Sequence, residues 1–423
     1  MINTKITCAV IFSLLFLCIG CIENNDPVSE TNAVDEDSTM YASSADEYDI
    51  AIANNAFAFD MYSNIVKEEN LVFSPYSIFT AMAICYGGAG GTTQEQIASV
   101  FNYPLSKPVL EEASKNMMAT INSDTDNYDL STANALWVRK EYPLNSEFST
   151  NSKEYYGGNV TNLDFRSEPE ESRVIINNWV ASKTNDKIKD LIPEELITED
   201  TAIIITNAVY FKGAWMNKFD TANTAKRAFY NSSSNENPVD MMYTQEFFSY
   251  GESENAKILE LPYKGDDLCM YIVLPEENNI EEFEDTFTIS DYNELKSSME
   301  SQYIVHTYLP KFKIDVKTEL PDTLRNMGVV DAFDGTLANF SGMYNVQLVP
   351  EDYNLWLDDV IHQAFIDVQE EGTEAAASTA IEATDGAIPT VLEFKADHPF
   401  MFFIEDKRTG CILFMGKVEN PEY

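Results

Sequence analysis

The chain has 423 residues, 44% of them hydrophobic, and a formal charge of −43 from 27 Lys and Arg against 70 Asp and Glu. That length and apolar content supply a sizeable core for one mixed domain, whereas the acidity excludes nucleic acid as a partner, because phosphate binding needs concentrated Lys and Arg. A surface this acidic repels itself at low ionic strength and is relieved by screening, so a fold stabilised by salt and suited to a saline medium is expected.

Residues 1–20 carry Lys5 and then an apolar run from Ala9 to Ile19. The run is too short to span a bilayer comfortably and is arranged like an export signal. Residues 21–47 are Asp, Glu, Ser, Thr and Asn with few apolar groups. They cannot bury enough surface to offset their ordering entropy, so a disordered acidic linker is expected before a folded domain over 48–423. Beyond the signal and Cys21, Cys85, Cys269 and Cys411 stand far apart in apolar runs; they read as buried, inert thiols and not as a disulfide framework.

From Asp49 to Val66 apolar residues recur at helical spacing (Ile52, Phe57, Met61, Ile65), predicting an amphipathic helix. Leu71–Phe73 reads as a short strand, and Ser74-Pro75 starts a second helix, proline suiting its first turn. The glycines from Gly87 to Gly91 are followed by no Lys-Ser/Thr, so a phosphate cradle is not indicated and a further helix begins near Thr92. Ala202–Phe211 is almost continuously β-branched and aromatic, as in a strand covered on both faces. Asn207 interrupts it, either as a satisfied buried polar group or as part of a gate. Between Phe229 and Pro275 the pattern predicts several short strands separated by polar turns. Two acidic helical pieces (Ile280–Glu300), strands (Tyr303–Lys317), a helix (Thr318–Met327) and a last hairpin (Phe400–Val418) complete an α+β order.

One stretch fits neither period. EEGTEAAASTAIEATDGAIP, Glu370–Pro389, is small and polar yet joins two strand-like segments, His362–Gln369 and Thr390–Phe394. Loops of this length in compact domains usually carry function. Taken with a period of two, Thr373, Ala375, Ala377, Thr379, Ile381 and Ala383 share one face, while Glu374, Ala376, Ser378, Ala380 and Glu382 share the other. That suits a segment able to enter a sheet, with small side chains inward, charge outward and Gly372 as the pivot. A solvated Ala/Ser/Thr linker is the alternative.

Enzyme chemistry finds little support. His306, His362 and His398 are the only histidines, no G-x-S-x-G elbow accompanies them, and no zinc-type spacing occurs. No catalytic residue, metal or cofactor is assigned.

These residues carry a family resemblance. EEGTEAAAST (Glu370–Thr379) resembles the reactive-loop hinge of the serpins, and FKADHPFMFFI (Phe394–Ile404) is similar to the signature that follows that loop. FSPYSI (Phe73–Ile78), NAVYFKGAW (Asn207–Trp215), LPKFKID (Leu309–Asp315) and FMGKVENP near the C-terminus match further family motifs in the expected order. The resemblance implies a large central β-sheet with two smaller sheets, about nine helices and an exposed reactive-centre loop. It implies a hinge at Glu370, Gly372, Thr373, Glu374, Ala375, Ala376, Ala377 and Thr379. Leu130–Val138 becomes a central strand and Glu168–Asp186 a helix across it. Ser74, Ser77, Asn207 and His362 match a hydrogen-bonded cluster that pins two strands together, and Trp215 lies near the top of their opening.

The implied function is protease inhibition by a suicide-substrate mechanism: a protease cuts the loop, is held as an acyl-enzyme, and is distorted when the loop inserts. The small inward residues favour an inhibitor over a non-inhibitory serpin-fold binding protein of the cell surface. Counting from Gly372 puts the reactive bond at Gly386-Ala387; counting back from Phe400 puts it at Ile388-Pro389. A proline after the cut hinders most serine proteases, so the bond is expected between Asp385 and Ile388, with Gly386-Ala387 preferred. Small residues there imply an elastase-like or subtilisin-like target, with an Asp-directed or cysteine protease as the lesser option. LCIGC resembles a prokaryotic lipoprotein signal with Cys21 bearing the lipid, although Cys18 stands where Leu is expected. The protein is thus either held on the outer face of the cell membrane by that lipid or secreted, and is expected to be a monomer. A polyanionic activator fits poorly with so acidic a surface.

Overall fold

The Asp49 carboxylate accepts hydrogen bonds from the N–H groups of Ala51 and Ile52 and caps α1 (Ile50–Asn64). Strand β1 (Asn70–Phe73) follows, and Ser74 caps α2 (Pro75–Gly88) with proline in its first turn. The glycine-rich stretch ends α2 at Gly88 and, through Gly90 and Gly91, starts an ordinary helix, α3 (Gly91–Phe101), succeeded by α4 (Lys107–Ile121). The computed structural model describes residues 42, 44–45, 48–65, 69–123, 127–233, 235–350, 354–373 and 390–423, all within a unit spanning Glu36–Tyr423.

The chain continues through β2 (Tyr128–Arg139), α5 (Ser146–Tyr156), β3 (Asn159–Leu163), α6 (Pro169–Lys183), β4 (Ile203–Ala214), β5 (Ala225–Tyr230), β6 (Glu236–Glu252), β7 (Ala256–Pro262) and β8 (Leu268–Pro275). Helices α7 (Ile280–Thr286) and α8 (Ile289–Ser297) precede β9 (Glu300–Pro310), β10 (Phe312–Glu319) and α9 (Pro321–Met327). The last strands are β11 (Leu357–Val368), β12 (Gly372–Thr373), β13 (Val391–Lys395), β14 (Phe400–Asp406) and β15 (Cys411–Val418).

Among the described residues two hydrogen-bonded sheets result. One has six strands in the order β10-β11-β4-β2-β3, with the short β12 added against β4; the other has nine, β1-β15-β14-β8-β7-β6-β9-β13, with β5 on β6. The two smaller sheets expected from the sequence are joined through the 17-residue β6. Here the polar Thr244-Gln245-Glu246 does not turn the chain. Thr244 pairs with Thr307 and Glu246 with Val305 of β9, so the ladder carries a polar run through as one strand.

The six-stranded sheet is covered on both faces, which explains the unbroken hydrophobicity of β4. Ile203, Ile205 and Val209 point into the main core with α2, while Ile204 and Ala208 join a second layer. In that layer Ile176 and Val180 of α6 pack over the sheet, and Trp137 meets Trp179 edge-on at 5.4 Å. Cys85, Cys269 and Cys411 are free and buried, and burial pushes the Cys85 thiol up.

Candidate functional site: the mouth of the six-stranded sheet

β4 and β11 run parallel, and their register sets His362 beside Asn207; the antiparallel register of β2 sets Asn134 on the other side of Asn207. Three polar side chains therefore form one row across three buried strands. The N-terminus of α2 lies beneath, and Ser74 and Ser77 complete the row. The Ser74 N–H donates to His362 Nε2 at 3.1 Å, which leaves the proton on Nδ1 to be donated to Asn207 Oδ1. The Asn207 amide donates to Ser77 Oγ (2.6 Å) and to Asn134 Oδ1, and the Ser77 hydroxyl donates to Asn134 Oδ1 (3.2 Å). Full burial pushes the His362 imidazole down to about 3, outweighing its bond to Asn207. Held neutral with both nitrogens engaged, His362 is a structural member of the row and is not available as a general base.

Above this row the strands part. The β4–β11 ladder ends at the Tyr210–Phe365 pair, and beyond it Gly213 and Ala214 of β4 pair instead with Thr373 and Gly372. The chain reverses between Gln369 and Gly372, whose N–H and C=O groups bond each other at 3.0 Å in both directions. Gly372 has φ +134°, and a Cβ there would collide with the Gly213 carbonyl and the backbone of Ala214 and Trp215, so no other residue fits. Thr373 is fully buried, its hydroxyl 3.0 Å from that of Tyr263. The Tyr263 ring stacks on Trp215 at 4.6 Å, and the Trp215 indole N–H donates to the Gln369 carbonyl at 3.0 Å.

The turn is fixed electrostatically as well. Glu370 is 7% exposed; its carboxylate accepts from Thr224 Oγ1 at 2.7 Å and pairs with Lys311 at 2.9 Å. Burial raises its pKa, but the bonds from Thr224 and Lys311 prevail and hold it below the usual carboxylate range. Lys218 pairs with Glu371 at 2.7 Å. The Tyr423 ring covers the Lys311 ammonium at 4.0 Å, and its hydroxyl bonds Gln369 Oε1 at 2.8 Å.

Of the residues singled out in the sequence, Ser74, Ser77, Asn207 and His362 meet in one network, while Glu370, Gly372, Thr373 and Trp215 meet at the mouth above it. Glu374, Ala375, Ala376, Ala377 and Thr379, the bonds between Asp385 and Ile388, and Cys21 lie outside the described residues. Asn134 was missed: it interrupts its strand as Asn207 does, but after the polar Ser131 and Thr132. Tyr263, Thr224 and Lys311 were missed too, and no local pattern marks them.

Strand order, the row of polar groups and the short strand Gly372–Thr373 seated against β4 define a class of mixed-sheet protein. The serpin (serine protease inhibitor) family matches residues 52–421. A serpin-like protein of Methanosarcina acetivorans is 54% identical over 98% of each chain, and human serpin B4 is 36% identical over 87% of this chain and 98% of its own. Among solved structures, the thermophilic serpin tengpin in its native state superposes with a TM-score of 0.79 at 28% identity, covering 88% of this chain and 94% of that one. The chain belongs to the serpin family, and its fold is the serpin fold.

Proposed function

We propose that this protein is an inhibitory serpin that traps a serine protease of subtilisin-like or elastase-like specificity by inserting its cleaved loop into the six-stranded sheet. The observation that carries this reading is Thr373, fully buried and already paired with Gly213 while β4 and β11 stay joined below it. The sequence after it continues with Ala375, Ala377 and Thr379 on the same period-two face, none bulky or charged.

The protease serine attacks the Gly386 carbonyl and expels the Ala387 amine, forming an acyl-enzyme. The freed loop then extends the ladder downward, parting β4 from β11. Adding a strand of about a dozen residues, at about 1 kcal/mol net per backbone hydrogen bond, gives a driving force on the order of 10 kcal/mol. Deacylation needs an intact oxyanion hole, and a protease dragged by its acyl tether loses that geometry. The inhibitor supplies strain and a substrate, and no catalytic group. The apolar run from Ala9 and the LCIGC sequence support export, with Cys21 as the lipid-bearing residue on the outer face of the membrane; the inhibitor acts as a monomer.

Incubation with subtilisin and with pancreatic elastase tests the reading. The expected result is a band stable to SDS at the summed mass, with mass spectrometry of the released peptide placing the cut at Gly386-Ala387. Loop cleavage with no such band would leave a non-inhibitory cell-surface binding protein.

A further inference from the structure

The acidic surface folds into a groove next to the strand by which the chain returns from its loop. The β6–β7 turn, the end of β8 and helices α7 and α8 enclose about 880 Å³. The floor is apolar: Phe283 and Phe287 stack with ring centroids 4.7 Å apart, and Leu295 of α8 lies beside them. The rim is carboxylate, from Glu252 and Glu254 on the turn, Glu276 and Glu277 after β8, Glu282 on α7 and Glu294 on α8. Lys257 pairs with Glu276 at 2.9 Å. No described Lys or Arg lines the groove.

Carboxylates spread around an apolar floor suit an extended cation and not a point charge, and among the described residues no group of three His, Cys, Asp or Glu is close enough to hold a metal. Pro275 and Glu276 also border a hollow of about 250 Å³ lined by Lys257 of β7, Glu393 and Lys395 of β13, Asp397 and His398. The acidic groove thus ends at Glu276, where the mixed-charge hollow beside β13 begins.

We infer that this groove docks a basic segment of a partner polypeptide, setting an aromatic or branched aliphatic side chain on Phe283 and Phe287 while flanking Lys or Arg side chains meet the carboxylate rim. Covering the part of each ring left open to solvent is favourable, and opposite charge on the rim supplies rate and selectivity. The inference stands apart from the inhibitory reading and holds with or without it.

Calorimetric titration of the full chain with the peptide Lys-Phe-Lys-Phe-Lys at low salt tests it. Saturable binding of one peptide per chain is expected, weakened by about tenfold or more in the Glu282→Gln/Glu294→Gln variant. Thr286→Lys, which sets an ammonium at an exposed groove position without touching the core, is expected to do the same. Glu171→Gln/Glu199→Gln, the same charge change outside the groove, is expected to leave affinity unchanged, and Lys-Ser-Lys-Ser-Lys to lose it. No binding, equal binding of the serine peptide, or affinity indifferent to both groove variants overturns the proposal.

Discussion

The hydroxyls of Thr373 and Tyr263 lie 3.0 Å apart, buried at the upper end of β4 where Thr373 pairs with Gly213. Under the proposed insertion, Thr373 is the residue from which the loop extends into the sheet. Thr373→Arg would force a guanidinium into that site at a cost of several kcal/mol. The loop is expected to be cut as fast as before, while the SDS-stable complex falls and cleaved, untrapped protein accumulates. Unchanged complex yield would show that Thr373 is not where insertion starts.

His362 makes the closed sheet sensitive to acid. Its pKa is pushed down to about 3 by burial, against 6.5 when exposed. Between these values the unfolded chain binds the extra proton. This group's contribution is therefore complete above about pH 6.5 and is lost as pH falls toward about 3, by up to about 1.4 kcal/mol per pH unit. Urea unfolding through that window is expected to give a shallower pH dependence for His362→Gln. Parallel curves for the two proteins would contradict this.

Asn134→Ala removes the acceptor shared by the Asn207 amide and the Ser77 hydroxyl. Leaving these buried donors unsatisfied is expected to lower the stability of the intact protein by about 1–3 kcal/mol, read as a lower denaturant midpoint. An Asn134→Ala midpoint equal to the parent's would mean that water or a neighbour takes over.

Much of this was legible in the sequence, and the exceptions have physical causes. Helix α1 forms where apolar residues recur at helical spacing, but it is buried on nearly all sides and is not the amphipathic helix expected, since Ala51, Ala53, Ala56 and Ala58 are buried along with Phe57 and Met61. Strand β4 announces itself by composition because it is buried on both faces. β6 did not, since Thr244-Gln245-Glu246 looks like a turn until β9 supplies the ladder. Asn207 stood out against its apolar neighbours, and Asn134 carries the same signal more faintly because Ser131 and Thr132 precede it. Lys311 is separated from Glu370 by some sixty positions in the chain, roughly, and only the fold puts an ammonium against that carboxylate.

That pair has its own consequence. Glu370→Lys would set two ammonium groups together beneath the Tyr423 ring and leave the Thr224 hydroxyl without its acceptor. A loss of about 2 kcal/mol is expected, with part of it recovered in Glu370→Lys/Lys311→Glu. Additive effects of the two substitutions would deny the coupling.

With a formal charge of −43 the intact fold repels itself. Its melting temperature is expected to rise from low salt to molar sodium chloride as screening grows. A flat or falling response would show that the charge is already neutralised locally.

Thermal unfolding before and after a single cut between Gly372 and Pro389 tests the central claim most directly. If the intact sheet is held short of its lowest-energy state, the cleaved protein takes up its loop as a full strand and melts well above the intact one, by tens of degrees on the order of 10 kcal/mol. Equal or lower melting of the cleaved protein would mean that no energy is stored in the fold, and trapping by insertion would have no driving force.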